Sequence, residues 1–571
     1  MTVKSKCALL GAVMVIGACF VRLAGAQEHV VETSHNLSIS GPDEIRAESE
    51  EQVCIFCHAP HSTGGATPLW NRQFPVANYS VYRSSTFDAS PGQPTGASKL
   101  CLSCHDGTIA LGRVISRSDR IRMAGSDFIP AGLSNLGTDL SDDHPISFHY
   151  TAGLAASDRQ LRSPSALPDN VKLDPSGQLQ CTACHDAHRN RYRMFLTVSD
   201  EYGALCVVCH DMDGWINCPH STAGQTVSGA LLREWSFATV AENACRCCHR
   251  SHTAGGPERL LISKNEEDNC LNCHDGRVAQ FDIRAELDKP NAHDPRRYLG
   301  LHDPVEVLAG SQPHVECIDC HNPHAASARV DGGYVAIGAT MQKVPGVSSG
   351  GTYVQEAQFE FEVCFRCHGD APVPVPRRIS RQADQPNLRL KFSSTNPSFH
   401  PIAEASPSAE TISLDPSIPV GSLIRCTDCH NNNAGPRAGG NGPDGPHGSI
   451  HDYLLERAYS VRDFTPESAY DYALCYKCHR RVSILNDESF PTHSLHVRDA
   501  STPCSVCHDP HGVSTITGGA SDHTHLINFD ATIVLPLTGT ARMAFEDLGH
   551  FAGSCTLTCH DYDHDDTRYG E

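Results

Sequence analysis

Along most of the chain apolar residues come singly or in pairs between Gly, Pro, Ser, Asn and Asp, so neither a 3.6-residue nor a two-residue hydrophobic period is sustained. Stretches such as "APVPVPRR" from Ala371 and "NNNAGPRAGGNGPDGPHGS" from Asn431 read as loop. The exceptions are short: "GSIHDYLLERAYS" around Tyr453 has helical spacing, and "ATIVLPL" around Val534 reads as a strand. The pattern predicts a mostly irregular coil with short α-helices, chiefly at the cysteine motifs described below, and very little β.

One apolar run is long. "CALLGAVMVIGACF" follows Lys4 and Lys6 and precedes the small residues Ala24 to Ala26, the layout of a signal peptide over residues 1–26. "VIGAC" inside it is a rival signal that would make Cys19 a lipidated first residue. An exported protein is expected, extracellular or on the outer cell surface, with the periplasm as alternative. No later run approaches the ~18 apolar residues of a membrane span.

Composition raises the question of what forms the core. Aromatic residues are 6% and Trp only 3, whereas the 571 residues include 28 Cys and 34 His. The formal net charge is -21 without a basic block, which excludes nucleic acid as the expected partner.

The cysteines follow one rule. C-x-x-C-H occurs at Cys54, Cys57 and His58; Cys101, Cys104 and His105; Cys181, Cys184 and His185; and Cys206, Cys209 and His210. It recurs at Cys245, Cys248 and His249; Cys270, Cys273 and His274; Cys317, Cys320 and His321; and Cys364, Cys367 and His368. It returns at Cys426, Cys429 and His430; Cys475, Cys478 and His479; and Cys504, Cys507 and His508. A twelfth motif, Cys555, Cys559 and His560, has one extra residue between its cysteines. Chance would supply on the order of 0.1 such matches. A disulfide framework gives no reason for a His after every second Cys, and zinc sites close with a second ligand pair. Covalent haem uses all three groups: two thioethers to the vinyl carbons and an adjacent imidazole on the iron. Twelve haems c are expected. The motifs use 24 of the 28 cysteines, leaving Cys218 and Cys247 outside the leader as two buried thiols or one disulfide.

With these motifs, "HNLSISGP", "CHAPH", "DDHPISF", "GPHGS", "HLINFD" and "CTLTCHDYDH" resemble the large outer-surface multihaem c-type cytochromes of metal-respiring bacteria. The resemblance implies electron transfer through bis-histidine haems, with other cytochromes or extracellular acceptors as partners. Some members of that group polymerise, so a head-to-tail filament is a further expectation, with His29, His523, His525, His550 and His564 as spare imidazoles for a neighbouring subunit.

A sixth iron ligand must come from the opposite face of the ring, so a His three residues past the attached one serves a different haem. His61, His188, His252, His324 and His511 hold that C-H-x-x-H position and are expected on the iron of the next motif. His35, His144, His302 and His400 lie upstream of the motifs at Cys54, Cys181, Cys317 and Cys426. His220 suits the motif at Cys245, His447 that at Cys475, and His493 or His496 that at Cys504, with His496 preferred. Motif separations of 47, 25, 25 and 47 residues suggest modules: a haem pair in 27–165, two pairs in 166–300, one in 301–375 and four haems in 376–571. The expected architecture is a multihaem cytochrome fold packed around a chain of closely spaced haems, at roughly one per 45 residues.

The function read from these features is electron carriage without catalytic residues. The alternative is a multihaem reductase with one open iron, for which the odd motif at Cys555 is the place to look. No C-x-x-C-K motif is present.

Overall fold

The computed structural model describes residues 29–61, 68–227, 236–298, 313–326, 336–370, 378–405, 411–519 and 523–570. The signal-peptide reading, Cys19 and His302 lie outside these residues. Irregular chain dominates, as the hydrophobic pattern predicts. The longest helices are α1, Gly96–His105, and α2, Glu360–His368, and each ends on an attachment motif. Most other motifs form a single helical or 3₁₀ turn. The turn closes because the histidine N–H bonds the carbonyl of the first cysteine, at 2.8 Å from His58 to Cys54 and 2.9 Å from His508 to Cys504.

Among the described residues, sheet is confined to two-residue ladders and one C-terminal sheet. The ladders act as clips. Asn291–Ala292 pairs antiparallel with Gly448–Ser449, holding His293 and His447 on neighbouring segments. Phe148–His149 pairs with Gln178–Leu179, drawing the His144 segment to the motif at Cys181. The C-terminal sheet contains β1, Val534–Leu535; β2, Ala544–Gly549; β3, Ala552–Cys559; and β4, Tyr562–Tyr569. β3 is central, bordered by β1 and β2 on one edge and β4 on the other.

The apolar core is divided. Buried side chains form small separate clusters, such as Ala47, Ile55, Phe56, Val114 and Ile121 at the N-terminal end and Val506, Phe529, Val534, Phe545 and Leu557 at the C-terminal end. A chain of this length would ordinarily build larger continuous cores. What joins the clusters is polar chemistry: Arg72, 1% exposed, donates to the carbonyls of Ser103 at 3.0 Å, Leu111 at 2.7 Å and Ala110 at 3.1 Å.

Two expectations about local structure meet different outcomes. Val534 lies in β1, as read from the sequence. The helix expected around Tyr453 is replaced by one 3₁₀ turn, Asp452–Leu454, in which Tyr453 and Leu454 both have φ of 58°. Those left-handed residues cannot continue a helix.

Candidate functional site

The site is a column of cysteine turns and imidazole pairs running the length of the described chain. Thiols of successive motifs touch. Cys101 and Cys181, Cys206 and Cys245, Cys270 and Cys317, Cys364 and Cys426, and Cys475 and Cys504 are hydrogen-bonded pairs. Between them, Cys57 lies near Cys104, Cys184 near Cys209, Cys248 near Cys273, Cys320 near Cys367, Cys429 near Cys478, and Cys507 near Cys555. Every junction from the first motif to the twelfth is represented, so spatial order follows chain order. The approach is close enough to require Gly203, at φ +67°, since a Cβ there would sit 2.8 Å from the Cys245 sulfur.

Each of the eleven strict motif histidines faces one other imidazole. In the first set the rings are near parallel: His58 faces His188 at 6.2 Å between ring centres, His185 faces His252 at 6.2 Å, and His249 faces His324 at 6.0 Å. His321 faces His447 at 5.9 Å and His430 faces His511 at 6.0 Å, and interplanar angles in this set run from 9° to 34°. The second set is crossed at 40° to 88°: His105 with His35 at 6.2 Å, His210 with His144 at 6.4 Å and His274 with His220 at 6.2 Å. It also holds His368 with His293 at 6.3 Å, His479 with His400 at 6.4 Å and His508 with His493 at 6.4 Å. A twelfth pair joins His496 and His564 at 6.3 Å.

Ten of the twelve upstream or C-H-x-x-H candidates therefore sit in a ring pair, but not with the partners expected. The C-H-x-x-H histidines reach backwards: His188, His252, His324 and His511 each face the motif two before their own, not the next one. His35, His144, His220 and His400 each skip the nearest motif and face the one after it. Bonds between segments set these directions: the His144 N–H donates to the Ser251 carbonyl at 2.7 Å, His35 Nδ1 to that of Ala187 at 2.9 Å and His220 Nδ1 to that of Pro323 at 2.9 Å. His447 likewise faces His321 rather than the motif at Cys475, and His493 rather than His496 faces His508.

Two expected ligands, His61 and His560, stand outside the ring pairs, and His302 lies outside the described residues. His61 is exposed and has no imidazole against it among the described residues, and His293, in the same gap as His302, faces His368. His560 is not in a ring pair; its Nε2 lies 3.0 and 3.1 Å from the two carboxylate oxygens of Asp463, and its ring stacks on Phe464 at 4.5 Å. His293 in "AHDP" carries the same His-Asp-Pro as His302 in "LHDP", so the sequence does not separate the two. Cys218 and Cys247 form no disulfide; the Cys218 thiol bonds the Pro323 carbonyl at 3.2 Å and that of Cys247 the Val240 carbonyl at 3.5 Å.

A repeated clamp fixes the motif rings. Nδ1 donates to a backbone carbonyl: His58 to Pro68 at 2.9 Å, His185 to Met194 at 2.8 Å, His249 to Arg259 at 2.8 Å, His430 to Tyr453 at 2.8 Å and His508 to His525 at 2.9 Å. Two residues beyond each carbonyl, Trp70, Leu196, Leu261, Leu455 and Ile527 form a β-bridge with the same histidine. The residue between is left-handed without being glycine: Leu69, Phe195, Leu260, Leu454 and Leu526 have φ of 51° to 62°. Such residues cost about 1–3 kcal/mol each and persist where the surroundings over-determine them. The five clamps, "PLW", "MFL", "RLL", "YLL" and "HLI", were not read from the sequence, although an apolar residue at the second and third positions recurs.

With Nδ1 donating, the lone pair is on Nε2, the tautomer a metal requires. Burial pushes the imidazoles of His210, His274, His368, His479, His493 and His508 down to about 4, and those of His324, His447 and His511 to about 3. These nine rings are thus neutral donors at physiological pH. In the C-terminal half, five of the ring pairs and their cysteines line one cavity of ≈ 2230 Å³.

Cysteine turns that present both thiols beside an imidazole, repeated along a column, are the attachment chemistry of a multihaem c-type cytochrome with covalently bound haem c. The doubled CXXCH motif family matches residues 174–214 and 238–279. The multiheme cytochrome MtrA of Shewanella baltica is 24% identical over 172 residues, a match covering 28% of this chain and 39% of that protein's length. Among the described residues no helix is long and apolar enough to cross a membrane.

Proposed function

We propose that the chain is an electron conduit with twelve haems c, each iron closed on both faces by imidazole, and that it serves extracellular electron transfer to other cytochromes or to acceptors outside the cell. The supporting observation is the ring separation. Metal–imidazole bonds of about 2.0 Å, with about 1.1 Å from nitrogen to ring centre, place two axial rings about 6.2 Å apart, and the twelve pairs stand 5.9 to 6.4 Å apart. Bound haem c supplies one-electron redox chemistry at iron, at the low potentials that two histidine ligands favour.

The protein's own groups do the rest. The cysteine pairs anchor each group covalently, the carbonyl clamps hold Nε2 forward, and burial keeps nine of the rings well below the ordinary imidazole value. The proximity of cysteines at each junction brings successive centres together, so electrons can pass in chain order without a substrate pocket. Head-to-tail association into a filament is the wider form of this reading.

Intact mass and electron paramagnetic resonance of the oxidised protein test the reading together. Twelve haems, all low-spin, are expected. A smaller count refutes the number, and a high-spin fraction would mean an open iron and turn attention to the reductase alternative. Electron microscopy showing only discrete particles at high concentration would rule out the filament.

A further inference from the structure

Resting on the twelve-haem reading, we infer that the iron at Cys555 and Cys559 is held axially by His496 and His564, and that His560, the residue next to the second cysteine, serves as a structural turn residue. Three independent features place the ligand on the far strand.

The first is the backbone. In nine of the other motifs the histidine N–H closes a turn onto the first cysteine carbonyl at 2.8 to 3.0 Å, and in the remaining two the motif lies in a helix. At the last motif the same positions are extended. Cys555 and Cys559 lie in β3, and His560 and Asp561 form the two-residue hairpin loop with φ of 49° and 60°. Two consecutive left-handed residues are the signature of a type I′ turn, whose twist suits the flanking strands. An extended strand sets its cysteines farther apart than a helical turn does, so the residue next to the second thiol no longer lies beneath both.

The second is the face of the sheet. Side chains alternate along a strand, so Cys555, Leu557 and Cys559 share one face of β3. His564 on β4 is directly opposite Leu557, and directly opposed residues share a face. It is half-buried between the exposed Asp563 and Asp565. The facing ring is that of His496, 6.3 Å away at 28°. His496 is prepared like the other candidates, with Nδ1 donating to the Thr492 carbonyl at 2.8 Å.

The third is the nitrogen. In the clamped motif histidines Nδ1 is engaged and Nε2 is free. In His560 it is Nε2, the atom a metal would need, that lies between the two oxygens of Asp463. Phe464 covers the ring face. The sequence motif at this site is therefore C-x-x-x-C with the histidine five positions past the second cysteine.

The test uses the full-length holoprotein and four variants. His564→Ala should turn about one-twelfth of the iron high-spin, and His560→Ala should leave all of it low-spin. The reverse pattern overturns the inference. If His564→Ala does not accumulate, His564→Met decides: one iron should acquire the near-infrared methionine charge-transfer band and a raised potential, while appearance of that band with His560→Met, and not with His564→Met, refutes the assignment. A wild-type haem count of eleven would instead bring down the parent reading, whichever histidine is changed.

Discussion

Lys391 and Asp509 offer a quantitative test of how the column is held. Lys391 closes the short helix Leu388–Lys391 and donates to Asp509 Oδ2 at 2.7 Å, with side chains 9% and 3% exposed. Arg381 Nε stands 3.8 Å from the same oxygen, and Asn528 donates to it at 3.3 Å. The other oxygen accepts the backbone N–H of His511 at 3.2 Å, so this carboxylate fixes the residue whose ring faces His430. Lys391→Met keeps the apolar stem and removes the charge. Breaking one side of a buried pair costs about 3–5 kcal/mol, and the remaining Arg381 should reduce this to roughly 2–4 kcal/mol. Adding Asp509→Asn removes the anion that has lost its nearer cation, and Arg381 keeps the Ser505, Asn528 and His508 carbonyls, so the double variant should recover most of the loss, to within about 1 kcal/mol. Hydrogen exchange of peptides spanning 505–530 reads the local opening energy directly. The single variant should exchange roughly 30- to 700-fold faster, since each 1.4 kcal/mol is a factor of ten. An unchanged rate, or a double variant worse than the single one, would refute the reasoning.

Other consequences follow from the ring pairs. His188→Ala should open the iron at Cys54 and turn about one-twelfth of the total high-spin, while His61→Ala should change nothing, as resonance spectra of the two variants would show. The near-parallel and crossed ring sets should give two classes of low-spin ferric signal, because the mutual angle of the axial rings sets the splitting of the iron d orbitals; a single class would contradict the geometry. A chain produced without haem attachment should show little structure by circular dichroism, since the apolar clusters are small and the ligands are what join distant segments.

Much of the site was legible in order but not in direction. Ten of the twelve distal candidates stand in ring pairs, because each gap between motifs offers few histidines to choose from. Their pairing could not be read, since a histidine such as His188 is equally compatible in sequence with the motif before or after it. Only the packing of the segments makes it reach back to His58, with the neighbouring Ala187 carbonyl accepting from His35 Nδ1 at 2.9 Å. Tyr453 shows the same limit for the backbone. Its surroundings have helical spacing, yet the carbonyl it must offer to His430 forces a left-handed pair and ends the helix.

What the amino-acid sequence determines alone is the covalent chemistry: two thiols and an imidazole within five residues decide attachment locally, and eleven strict repeats leave no other reading. The scarcity of periodic apolar runs likewise determines an irregular, helix-poor chain. What only the tertiary structure decides is arrangement through space: which ring faces which, how their planes cross, and that the last motif lies on a strand rather than a helical turn. The division is physical. Bond-forming groups on one turn are set by spacing along the chain, whereas a ligand across an iron is set by how separate segments pack.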